Sequence, residues 1–109
     1  MARETWNVVL TKDADADIDK IILWTEQHFG PHQAAKYHER IADGLEKLSR
    51  NPLGSPSKAR DGFGREYRSL HLGKRSRHIL VFRIDGRRVV IVRILHDSMD
   101  LSRHLPEEE

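Results

Sequence analysis

The 109-residue sequence contains no cysteine, so disulfides, cysteine-based zinc sites, iron–sulfur clusters and thiol nucleophiles are excluded. A reducing compartment is compatible with that. No apolar stretch approaches the roughly 18 residues that a membrane span needs, and Met1-Ala2-Arg3-Glu4-Thr5-Trp6 lacks the apolar run of a signal peptide. A cytoplasmic protein without membrane contact is expected. HExxH and HxH patterns are missing, so no metal site and no cofactor are expected from the histidines. There is neither a GxSxG elbow nor a Walker loop, and Gly62-Phe63-Gly64 alone is too short to cradle phosphates. Internal repeats and low-complexity tracts are absent too.

What is present fits one domain spanning residues 1–109. Hydrophobic residues make up 38% and charged residues 33%, against a usual charged fraction of about 25%, so a compact core under a heavily charged surface is expected. Trp6-Asn7-Val8-Val9-Leu10 reads as a short strand, and Thr11 as the N-cap of a helix. Behind it Ala14, Ile18, Ile21, Ile22, Thr25 and Phe29 recur at spacings of three and four, with Asp13, Asp15, Asp17 and Asp19 on the other faces. Gly30-Pro31 stops this helix and opens a second one, whose stripe is Ala34, Tyr37 or His38, Ile41, Leu45 and Leu48. An αα-hairpin results. Asn51-Pro52 ends it, and residues 52–64 read as a breaker-rich loop.

Beyond that loop the period falls from helical to two. Residues 65–70, 77–84 and 88–95 read as three strands of an antiparallel meander, with Asp85-Gly86 as a hairpin turn. The expected fold is therefore α+β, in the order β-α-α-β-β-β, with a helical hairpin packed on a small, mainly antiparallel twisted sheet. A short helical turn over residues 99–105 is expected to follow. Alternation makes Leu80, Phe82, Ile84, Val90, Val92 and Ile94 the expected core face. Arg83 and Arg93 then share the opposite, partly apolar face, either as an anionic or partner contact or as ordinary surface arginines.

Net charge is only +2, but it is unevenly distributed. Residues 1–57 carry −2, residues 58–93 carry +8 and residues 94–109 carry −4. A basic meander is thus attached to an acidic helical hairpin, and a polyanion or an acidic partner would find it. His96-Asp97 at the end of the last strand reads either as a general acid or base or as a hydrogen-bonded strand-end pair. Tyr67 reads as a core-edge or a stacking aromatic. Trp24, off the stripe of its helix, reads as a partner contact or as an edge of the core.

The order strand, helical hairpin, basic loop and meander resembles the RelE/ParE superfamily of bacterial type II toxins, most closely its ParE or plasmid-stabilisation branch. The resemblance spans residues 6–105. It is carried by Leu10-Thr11 and Ala14, Phe29-Gly30, residues 48–52, Gly64-Arg65 with Tyr67-Arg68, Val81-Phe82-Arg83-Ile84, and above all residues 93–100. It implies a growth-arresting toxin neutralised by a cognate ParD-like antitoxin in a hetero-oligomer, with an antitoxin helix buried against the hairpin. Ile22, Trp24, Phe29, Tyr37 and Ile41 are the expected antitoxin contacts, lining an apolar groove between the helices.

The resemblance implies one of two targets, DNA gyrase in the ParE branch or mRNA in the ribosomal A site in the RelE branch. RNA cleavage needs a base, an acid and cations, and Arg68, Arg83, Arg93 and His96 are the residues that would supply them. Residues 97–109 lack the C-terminal tyrosine of the RelE-like endonucleases, and Asp97 and Asp100 would repel an RNA backbone. A non-enzymatic gyrase poison is therefore the favoured reading, with Arg83, Arg93, His96, Met99 and Arg103 as its target surface. The alternatives are a ribosome-dependent endoribonuclease and an antitoxin-binding domain without toxicity.

Overall fold

The computed structural model describes residues 5–54, 57–63, 65–99 and 105. The chain runs β1 (Asn7–Leu10), α1 (Lys12–Arg50), β2 (Lys58–Phe63), β3 (Arg65–His71), β4 (His78–Asp85) and β5 (Arg88–His96). Thr11 caps α1 as its position suggests: its Oγ1 accepts from the Ala14 N–H at 3.1 Å and donates to the Val92 carbonyl at 2.9 Å. The same hydroxyl thus fastens the helix start to β5.

α1 is interrupted at Gly30, where φ 88° and ψ 168° are open only to glycine. Its 39 residues would run about 58 Å if straight, yet the longest dimension of the molecule is 41 Å. Its C-terminal end returns instead to the start of β1, where the Trp6 N–H donates to the Ser49 carbonyl at 2.7 Å. The helix doubles back on itself.

The sheet has five strands in the order β1-β5-β4-β3-β2, with β1 parallel to β5 and the other pairs antiparallel. This corrects the expected 52–64 loop, whose second half is β2. Its alternation is hidden by glycine and charge, since an edge strand is held by backbone pairing rather than by a buried face. α1 covers one face of the sheet. Ala14, Ile41 and Leu48 pack there against Leu70, Leu80, Phe82, Val89, Ile91 and Ile94. On the other face Tyr67, Ile79, Val81, Val90, Val92 and Leu95 form a second buried cluster that includes Leu105.

Val90 and Val92 are therefore on the face opposite to the one expected, although Leu80, Phe82 and Ile94 are where alternation puts them. The reason is a bulge: Val81 pairs with Arg93, but the next residue, Phe82, pairs with Ile91. One extra residue in β5 inverts every side chain that precedes it. Phe29 also departs from the expected stripe, being 63% exposed beside the break at Gly30. The expected helical turn over 99–105 lies largely outside the described residues.

Candidate functional site

A groove of about 760 Å³ opens between the second half of α1, the β3–β4 turn and the end of β5. Its floor is a hydrogen-bonded chain. The Tyr37 hydroxyl lies 2.6 Å from Ser76 Oγ and 2.5 Å from His78 Nδ1, and Ser76 Oγ also accepts from the His78 backbone N–H at 3.0 Å. A neutral His78 protonated on Nε2 satisfies all three groups, with Tyr37 donating to Nδ1 and Ser76 donating to Tyr37. Burial raises the Tyr37 pKa above its usual value. It lowers that of His78, and the neighbouring His96 ring, 5.7 Å away and edge-on, lowers it further.

The lining of the groove is of two kinds. Trp24 and Phe29 are aromatic, with ring centroids 5.8 Å apart, and Trp24 also stacks on His28 at 4.2 Å. Lys36, Arg40, Arg75 and Arg77 are cationic. Arg77 shares Asp97 with His71, each 3.1 Å from a carboxylate oxygen. These contacts, the His71 hydrogen bond foremost, hold the Asp97 carboxyl below its usual range.

Beside this groove Arg93 is clamped onto α1. Its Nε and guanidinium nitrogen reach the two oxygens of Asp17 at 2.7 and 2.9 Å, and Asp17 also accepts from the Ile94 N–H at 2.9 Å. The hydrogen bond to Asp17 raises the Arg93 pKa. Asp17 takes the place of a neighbouring strand here, because β1 pairs with β5 only as far as Ile91. Sequence reasoning had placed Asp17 on a solvent face, yet it stands three residues after Ala14 and four before Ile21, on the buried stripe itself.

The expected site residues are scattered by this geometry. Arg93 does not share a face with Arg83, because the bulge and Asp17 draw it toward α1. Arg83 lies on the second face, 25% exposed and 3.8 Å from Asp85. Arg68 is tied to the Ser57 hydroxyl at 2.8 Å and reaches the Leu53 carbonyl at 3.5 Å. His96 sits at the groove, its Nδ1 2.7 Å from Ser98 Oγ. Met99 is exposed, and Arg103 lies outside the described residues.

Among the expected antitoxin contacts, Ile41 is core, at 2% exposure, and has no surface to offer. Ile22 packs against the core, Tyr37 belongs to the floor of the groove, and Trp24 and Phe29 are exposed. The groove lies between α1 and the sheet rather than between two helices. Tyr67, 1% exposed, is a core residue and not a stacking platform. Lys36, Arg40 and Arg75 went unnoticed in the sequence because only the fold brings them together.

Residues 8–101 match the family described as ParE toxin of type II toxin-antitoxin system, parDE. The chain is 34% identical over 97 residues to Toxin ParE1 of Caulobacter vibrioides, covering 88% of this chain and 94% of that protein. It is 30% identical over 99 residues to Toxin ParE1 of Mycobacterium tuberculosis, covering 89% and 95%. Among solved structures, the chromosomal ParDE system of P. aeruginosa superposes with a TM-score of 0.72 at 23% identity, covering 87% of this chain and 98% of that one. The M. tuberculosis RelBE2 complex gives 0.54 at 29% identity, covering 84% and 98%. Sequence, fold and family pattern agree, and the chain belongs to the ParE toxin family of type II toxin-antitoxin systems.

Proposed function

We propose that this toxin poisons DNA gyrase by protein contact and is held inactive by a cognate ParD-like antitoxin. The observation that supports contact over RNA cleavage is the dispersal of Arg68, Arg83, Arg93 and His96. Arg68 braces the segment before β2, Arg93 is bound to Asp17, and Arg83 is on the other face of the sheet from the α1 clamp. A ribonuclease needs its cations and its acid or base around one phosphate. The proposed target surface is Arg83, His96, Met99 and Arg103, without Arg93. The antitoxin is proposed to cover the ridge of Leu23, Trp24 and Phe29, which are 55%, 53% and 63% exposed.

The test is a supercoiling assay with the purified chain. Inhibition with trapped cleavage complexes, relieved by the product of the adjacent open reading frame, is the expected result. Intact supercoiling at excess toxin, together with cut mRNA in a translation extract that Arg83→Ala or His96→Ala abolishes, would establish the ribonuclease reading instead. Absence of growth arrest on inducing the chain alone would leave only an antitoxin-binding domain.

A further inference from the structure

We propose that the groove between α1 and the β3–β4 turn is a binding site for a nucleoside phosphate. Its volume of about 760 Å³ lies within the range of roughly 300–1,000 Å³ typical of small-molecule sites. Among the described residues no carboxylate lines it, and none pairs with Lys36, Arg40 or Arg75. Three cations without acid partners in the lining of one concave surface attract an anion carrying more than one charge. Arginine forks match phosphate oxygens two at a time, which favours a phosphate over a single carboxylate.

The aromatic part of the lining determines what the phosphate is attached to. Trp24 and Phe29 expose aromatic rings in the same groove as the cations. Such rings are sequence-tolerant stacking platforms for bases, because every base has a π-face. The floor argues in the same direction. An amphipathic peptide helix needs an apolar groove, whereas Gln33 offers an amide here and the His78 ring its remaining nitrogen, the Tyr37 and Thr25 hydroxyls being engaged with His78 Nδ1 and the Ile21 carbonyl. A planar ring with polar edges and an attached phosphate satisfies the aromatic, polar and cationic parts of the lining together.

The groove shares His96 with the proposed target surface and Trp24 and Phe29 with the proposed antitoxin ridge, so its test uses the purified chain alone and reads binding, not toxicity. Isothermal titration compares ADP, inorganic pyrophosphate and a hexaglutamate peptide. ADP is expected to bind at least tenfold more tightly than either of the others. Arg40→Gln combined with Arg75→Gln should weaken ADP and pyrophosphate alike by tenfold or more. Trp24→Ala, or Phe29→Ala as an independent variant, should weaken ADP and leave pyrophosphate unchanged. Each altered side chain is at the surface, and circular dichroism verifies that the variants stay folded. Equal affinity for ADP and pyrophosphate would overturn the assignment, as would hexaglutamate binding as tightly as ADP, or no binding by any probe at millimolar concentration.

Discussion

Asp17 gathers two guanidinium donors and a backbone N–H onto one carboxylate, in a side chain only 9% exposed. Removing one partner of a buried ion pair costs about 3–5 kcal/mol. The Arg93 side chain is 24% exposed, so water recovers part of that, and Asp17→Ala is expected to lose about 2–3 kcal/mol in urea unfolding. His78 sets a different dependence. Its pKa in the fold is below the ordinary 6.5, so the unfolded chain takes up the proton first as pH falls. Its contribution is complete above pH 6.5 and is lost as pH falls toward the folded value. Melting temperature should drop between pH 7.5 and 5.5, and His78→Phe should flatten that drop. Asp97, lowered from 3.8, acts only in the acid range below that value. In the sequence Asp17 was misassigned to an outer face with the other aspartates, although its spacing to Ala14 and Ile21 carried the signal. The environment of His78 was not legible, because Tyr37, Ser76 and His96 come from three different elements.

Between α1 and the sheet the packing is tight at Gly44, where an added Cβ would stand 2.6 Å from Leu72 Cδ2 and 3.1 Å from Leu80 Cδ1. Gly44→Val would have to displace both leucines and is expected to cost about 1–3 kcal/mol, read as a fall in melting temperature. Gly30 presents the opposite case. Nothing lies within 4 Å of its missing Cβ, yet φ is +88°, so Gly30→Ala should cost about 1–3 kcal/mol through backbone conformation alone. Helical spacing and the Gly30-Pro31 pair made the break in α1 legible. β4 was legible from its alternation. The span of β5 was legible too, but its faces were not, because its bulge arises from pairing with β4, and no count along one strand reveals where a register shifts. β2 was missed because its partner, β3, supplies what its own side chains do not.

At the scale of the molecule the charge asymmetry was fully legible, since it requires only counting: +8 over residues 58–93 beside −2 before them. The exposed ridge was half legible. Trp24 stood off its stripe, whereas Phe29 seemed to belong to one. If the ridge holds the antitoxin, Leu23→Asp with Phe29→Asp should leave growth arrest intact on induction while coexpressed antitoxin no longer restores colony formation. The two halves of toxicity and neutralisation would then separate. The order of synthesis bears on the same balance. β1 is the first strand made, yet its partner is β5, with Asn7 opposite Arg88 and Leu10 opposite Ile91. Chains grow at about 5–20 residues per second, so residues 7–10 wait roughly 4–16 s on the ribosome for the strand that completes their ladder. Both hydrophobic clusters also draw on β5, through Ile91 and Ile94 on one face and Val92 and Leu95 on the other. A nascent chain therefore remains without its finished sheet until β5 has been made, an interval in which a partner already present meets an incomplete surface.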